Sequence, residues 1–184
     1  MTTLTIDAEF QGKIPPLTEA EFQQLKENIL EAGEVYEPIV VWNGIIVDGH
    51  NRWKIVQEHP EITYKVREMN FADKWAAFDW MYKNQLGRRN LTEAQRTYLL
   101  GKLEDARKHM ARNPNRGEDG RYQSPQNGDN GGRTSQIIAE ELGISHGQVE
   151  RAGHFAHGID TIRTVSPETA DEARLGLTDA MTAT

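Results

Sequence analysis

The residues of this chain best suited to chemistry lie together at Val47-Asp48-Gly49-His50-Asn51-Arg52-Trp53. A carboxylate, an imidazole, an amide and a guanidinium around one glycine are the donors of an anion site with an acid at its edge. The flanking residues say how they would be aimed. Pro38-Ile39-Val40-Val41-Trp42 and Ile45-Ile46-Val47 are apolar, mostly β-branched runs separated by Asn43-Gly44. That pair is the strongest short-range hairpin signal, because both turn residues need positive φ. Gly49 lets the backbone turn sharply, and 51–58 read as a helix. A strand, a glycine turn and a helix N-terminus direct free N–H groups and the positive dipole end at one spot. Phosphate suits such a place, and His50 and Arg52 add side-chain donors. The same residues also suit an ordinary Asp-Gly turn with a solvated arginine beyond it.

A second constellation lies at 134–152, Thr-Ser-Gln-Ile-Ile-Ala-Glu-Glu-Leu-Gly-Ile-Ser-His-Gly-Gln-Val-Glu-Arg-Ala, and resembles a helix-turn-helix. Ala139 is small where two helices would cross, and Gly143 suits a positive-φ turn four residues later. Ile138, Leu142, Ile144 and Val149 are apolar where the pair must bury its inner faces. Ser145 and Gln148 form a capping box for the second helix. On that helix Ser145, His146, Gln148, Glu150 and Arg151 are the candidates to meet DNA base edges. A helix pair used only for packing is the competing reading, and Glu140, Glu141 and Glu150 keep it open. His154 and His157 lack a third ligand at matching spacing, so no metal site is expected.

Other elements follow from spacing. Thr18 and Glu21 form a capping box, Phe22, Leu25 and Ile29 share a face, and Gly33 ends that helix. Residues 63–67 alternate as a strand. Phe71, Trp75, Phe78 and Tyr82 step by helical intervals and read as core. Thr92 and Gln95 open a further helix, with Leu99, Leu103, Ala106 and Met110 on one face and Arg96, Lys102, Arg107 and Arg112 on the other. Residues 113–133 hold five glycines, four asparagines and two prolines, with Tyr122 alone as a sizeable apolar group. Such a segment cannot offset its ordering entropy by burial and reads as a disordered linker. A helix begins again at Pro167 and is barely complete by residue 184.

The chain has 184 residues, 37% apolar, with a mean hydropathy of −0.69. No run reaches the length of a membrane span and no signal peptide is evident, so a cytoplasmic protein is expected. Without cysteine, thiolate metal sites, disulfides and cysteine nucleophiles are excluded. The net charge of −7 argues against a general polyanion binder, but it is unevenly spread. Residues 1–82 carry 7 Lys/Arg against 14 Asp/Glu, 83–133 carry 11 against 6, and 134–184 carry 3 against 8. The middle segment is therefore the natural face for a phosphate backbone, with Arg107 and Arg133 as phosphate contacts.

The 48–52 segment looks like the Gly-x-x-Arg signature of the ParB/sulfiredoxin superfamily, in its Asp-Gly-His variety, with Gly49, Arg52 and Trp53 matching. Upstream, Ile14-Pro15-Pro16-Leu17 and Glu37-Pro38-Ile39 resemble the family's opening. Downstream, Asn84-Gln85-Leu86-Gly87-Arg88-Arg89-Asn90-Leu91-Thr92 resembles its Glu-Asn-x-x-Arg segment. The resemblance covers roughly 10–112. It implies an α+β fold, a small ParB/sulfiredoxin-like mixed sheet with helices followed by an all-α helix-turn-helix region. The expected domains are a nucleotide-binding domain at 1–90, a basic connecting helix at 91–112, the linker at 113–133 and the DNA-binding region at 134–184. The resemblance implies a nucleoside di- or triphosphate (CTP or ATP/ADP) with Mg²⁺ as a further candidate. It places Asp48, Gly49, His50, Asn51, Arg52, Asn84, Arg88 and Arg89 around the nucleotide, and it implies a homodimer. There are departures. Lys83 stands where the partition type has glutamate, Arg88 lies one residue late, and Asn51 replaces an arginine. Hydrolysis of the partition type is therefore not expected, and sulfiredoxin chemistry is excluded by the missing cysteine.

Three functions remain open on sequence. The first is a ParB-like DNA-binding protein of a plasmid, phage or integrative element. The second is an enzyme, since superfamily relatives include nucleases and a kinase of free serine; Glu37 would then be the base and Asp48 would help hold Mg²⁺. The third is a repressor whose nucleotide loop stays empty.

Overall fold

In the computed structural model, residues 4–88, 91–112 and 130–176 are described. The chain divides into two compact units, Met1–Ala72 and Asp73–Thr184.

The first unit holds α1 (Ala8–Gly12), α2 (Glu19–Ala32), β1 (Ile39–Trp42), β2 (Ile45–Asp48), α3 (His50–Glu58) and β3 (Val66–Glu68). The hairpin forms as its Asn-Gly turn dictates, with Asn43 at φ 49° and Gly44 at φ 77°. β1 pairs antiparallel with β2 and parallel with β3, giving a mixed sheet in the order β2-β1-β3. A register irregularity between Val40 and Val41 brings Asp48 opposite Val40. The capping box at Thr18 and the left-handed Gly33 bound α2 as expected. Its Ile29 packs with Val35, Ile55, Val56 and Ile62, so α2 and α3 share one apolar cluster. Ile39, Val41 and Ile46 form a second cluster, with Trp53 packed against both. α3 is thereby fixed on the sheet, and the turn leading into it is held from both sides.

The second unit holds α4 (Lys74–Leu86), α5 (Glu93–Arg112), α6 (Asn130–Leu142), α7 (His146–Arg163) and α8 (Pro167–Leu175). α5 is its axis, packing on α4, α6, α7 and α8. Gly101 makes the closest of these approaches possible: a Cβ there would stand 2.1 Å from the Ala152 carbonyl oxygen on α7.

Three sequence expectations shift. The first unit ends at Ala72 rather than residue 90, because α4 turns Ala77, Phe78, Met81, Tyr82 and Gln85 inward within the second unit and packs on α5. The aromatic stripe is interrupted where Asp73 caps α4 by accepting from the Ala76 N–H at 2.9 Å; Phe71 precedes the helix and meets Trp42 edge-on. Of the expected linker, 113–129 lie outside the described residues, while 130–133 already belong to α6.

Candidate functional site

β2 ends in Asp48, Gly49 turns at φ 102°, and α3 starts at His50. No side chain caps that helix. Its first N–H groups belong to His50, Asn51 and Arg52, and the helical ladder begins when Trp53 N–H donates to the Gly49 carbonyl at 2.8 Å. Glycine is required here twice over. The dihedral is left-handed, and a Cβ would sit 3.0 Å from the Arg52 guanidinium and 3.3 Å from Ile39 Cα.

Arg52 folds back over the turn. Its Nη2 donates to Asp48 Oδ2 at 2.9 Å and to the Pro38 carbonyl at 3.3 Å, while its buried Nε has no partner. The two side chains are 15% and 12% exposed, so the guanidinium is largely desolvated and already shares its charge with Asp48. The solvated arginine of the simple-turn reading is thus not what forms. Asp48, for its part, is engaged by Arg52 rather than presented as a metal ligand. Sequence reasoning named Asp48 and Arg52 but not their mutual pairing, although an acid and an arginine four residues apart hinted at it.

His50 takes a different part from the one its position suggests. Burial pushes its imidazole pKa below the ordinary 6.5, against the raising influence of Asp48 and of a hydrogen bond to the Ile46 backbone; Arg52 lowers it further and Asp7 raises it. Nε2 is buried and unpartnered, so the ring nitrogen on the Ile46 backbone is Nδ1. A neutral ring that donates through Nδ1 offers a lone pair at Nε2. Its Nε2 is then a buried acceptor at the start of α3. The unfolded chain takes up a proton near pH 6.5 before the folded one does. Stability is therefore full above that pH and falls as acidification passes down toward the folded value. Urea unfolding above and below pH 6.5 should show a larger acid loss for the wild type than for His50→Gln. Equal losses would mean that His50 is not the group responsible.

Glu37 is exposed, next to the Pro38 carbonyl that Arg52 reaches. Asn84 and Arg88 are exposed at the C-terminal end of α4, in the second unit, and Arg89 lies outside the described residues. Lys83 contacts Asp79 at 3.4 Å and Glu141 at 2.8 Å. The residue that departs from the family pattern thus ties α4 to α6.

The C-terminal constellation forms two helices joined by a tight turn. Gly143 has φ 66°, Ile144 N–H donates to the Ala139 carbonyl at 3.0 Å, and the Ser145 capping box closes. Ile138, Ala139 and Val149 are buried as expected, whereas Leu142 is exposed. Ser145, Gln148, Glu150 and Arg151 are exposed, and His146 is half-buried with Nε2 3.6 Å from Glu150. The cap engages part of the expected reading surface: Gln148 Oε1 accepts from the Ser145 N–H at 3.0 Å and its hydroxyl at 3.1 Å, leaving the Gln148 amide group as a donor.

The basic face of α5 is largely used up inside the fold. Arg107, 12% exposed, donates to Asp79 and to Glu141, each at 2.6 Å. Lys83 and Arg107 together hold the Glu141 carboxyl below the usual range. Lys102 is buried and donates to Asp160 at 2.8 Å, where the Tyr98 hydroxyl also donates at 3.0 Å. Arg107 is therefore a clamp between α4, α5 and α6, not a phosphate contact; the acidic partners lie 28 and 34 residues away, beyond any periodicity argument. Arg96 on α5 and Arg133 on α6 do remain exposed.

No protein-family model and no curated protein matches the sequence. Among solved structures, the chain is similar to a pNOB8-like ParB N-domain in its C2221 form, with a TM-score of 0.63 at 18% identity, over 94% of this chain and 75% of that one. A second structure of the pNOB8-like ParB N-domain gives 0.58 at 16% identity, over 94% and 70%. The fold is thus that of a ParB N-domain, as the resemblance implied, and the likeness extends over both units.

Proposed function

We propose that this protein is a ParB-like DNA-binding protein of a plasmid, phage or integrative element, which binds a nucleoside di- or triphosphate at the 48–52 turn and DNA through α6 and α7. The observation that carries the reading is the uncapped start of α3, entered through a left-handed glycine and overhung by an arginine with a spare buried N–H. Backbone N–H groups at a helix N-terminus suit a phosphate. The Arg52 guanidinium would add positive charge beside them. Mg²⁺ has no evident ligand in the turn, since Asp48 is engaged by Arg52. The enzymatic alternative gains nothing from the geometry: Glu37 is exposed, and among the described residues no three acidic or histidine groups gather as a metal site.

For DNA, the support is the tight turn and the exposed first turns of α7, with Arg151 and Arg133 as the exposed cations nearest to it in sequence. Calorimetry with CTP, ATP and their diphosphates, with and without Mg²⁺, tests the nucleotide half. Saturable binding tighter than about millimolar, with phosphate release well below about one per second, is expected. Weaker binding of every nucleotide refutes it. Selection from random duplexes tests the DNA half, and enrichment of nothing refutes that.

A further inference from the structure

A cleft of about 530 Å³ lies between α5 and α7 in the second unit, with Ser135 of α6 on its wall. Its size is that of a small-molecule site. Glu104 is the unusual member of its lining. The side chain is 4% exposed, and both of its polar contacts fall on one oxygen. The Ser135 hydroxyl donates to Oε1, and Lys108 Nζ lies 3.0 Å from the same atom. Oε2 is left without a hydrogen-bonding partner among the described residues. Gly153 makes room for it: a Cβ there would stand 2.2 Å from Oε2. A carboxylate oxygen so far out of water is costly without a donor.

The rest of the lining gives the sign of that donor. Two lysines, Lys102 and Lys108, oppose the four carboxylates of Glu104, Asp105, Glu150 and Asp160. Lys102 is closest to Asp160, at 2.8 Å, and Lys108 is held by Glu104. The excess negative charge therefore belongs to Asp105 on the α5 wall and Glu150 on the α7 wall. Among the described residues no three acidic or histidine groups converge as a metal site. The charge is spread along the cleft, which suits an elongated cation better than an ion. Lys102 and Lys108 also limit its length. They stand six residues apart on α5, about 9 Å along the axis, with Glu104 and Asp105 between them.

We infer that this cleft binds a short aliphatic diamine. One ammonium group donates to Glu104 Oε2, and the other is balanced by Asp105 and Glu150. Calorimetry of the full chain with 1,4-diaminobutane should show saturable binding tighter than about millimolar, with 1-aminobutane at least about tenfold weaker. Glu104→Gln keeps the shape of the side chain and loses its charge, and should weaken the diamine by at least about tenfold. Asp105→Asn, at a half-exposed position where folding is not at stake, should weaken it severalfold and decides the matter if Glu104→Gln does not fold. Glu27→Gln, an exposed acid on α2 in the other unit, makes the same charge change and should bind as wild type. In the wild type the amide signals of Gly101, Gly153 and His154 should shift and saturate with the diamine. No saturable binding at millimolar diamine, shifts confined to other residues, or wild-type affinity in the folded cleft variants overturns the proposal. Equal affinity for 1-aminobutane, or displacement of the diamine by an equal concentration of Mg²⁺, overturns it too.

Discussion

Arg52→Ala should weaken nucleotide binding by about 1.5–3 kcal/mol, roughly ten- to a hundredfold, the range for losing one charge-assisted hydrogen bond. The structure adds a second consequence. Without its guanidinium, Asp48, only 9% exposed, is left as a largely buried carboxylate without this partner, so stability falls as well. Affinity and stability must therefore be read separately, by calorimetry and by urea unfolding. The complementary variant separates a cradle from a merely structural ion pair. Asp48→Asn removes the counter-charge and leaves Arg52 with its full positive charge beside the helix N-terminus. If phosphate binds there, affinity should rise severalfold even as the fold loses an ion pair. Affinity that is unchanged in Asp48→Asn and unreduced in Arg52→Ala would make the pair structural only.

Gly101→Ala should destabilise the second unit by about 3 kcal/mol, near the upper range for overpacking. The obstacle is backbone: the new methyl would stand 2.1 Å from the Ala152 carbonyl oxygen and 2.6 Å from its carbonyl carbon, so α5 and α7 must separate. The helix-propensity gain of about 1 kcal/mol offsets only part of that. Gly147→Ala is the control. It meets only the mobile end of Arg151, at 3.3 Å, and should leave stability equal or slightly higher. Thermal unfolding checks both, since a kilocalorie moves the midpoint by about 2–4 °C in a chain of this size. A Gly101→Ala variant as stable as wild type would mean that the helices pack less closely than described.

Local chemistry was legible in the sequence where it is self-contained. The Asn-Gly hairpin, the capping boxes at Thr18, Thr92 and Ser145, and the left-handed Gly33, Gly49 and Gly143 each depend on a few neighbouring residues, and all form. The small mixed sheet also came as the resemblance implied. What periodicity could not reveal were the partners supplied from elsewhere. Arg107 and Lys102 fall on the polar face of α5 by spacing, yet α4, α6 and α7 bring Asp79, Glu141 and Asp160 to them. His50 has the residue type of a cationic donor, but its charge is decided by burial and by the Ile46 backbone. The division of the compact units at Ala72 is unreadable for a like reason: α4 carries apolar residues most of the way round, and only the fold assigns it to α5.

The central claim is that the start of α3 holds a phosphate, and amide chemical shifts of isotope-labelled protein titrated with CTP and ATP test it most directly. The account predicts that the N–H signals of Gly49, His50, Asn51 and Arg52 move first and saturate together, along with the Arg52 side-chain Nε–H. It predicts that the N–H groups of α7 stay in place under the same titration. Saturating shifts confined to other residues, or none at millimolar nucleotide, would contradict it.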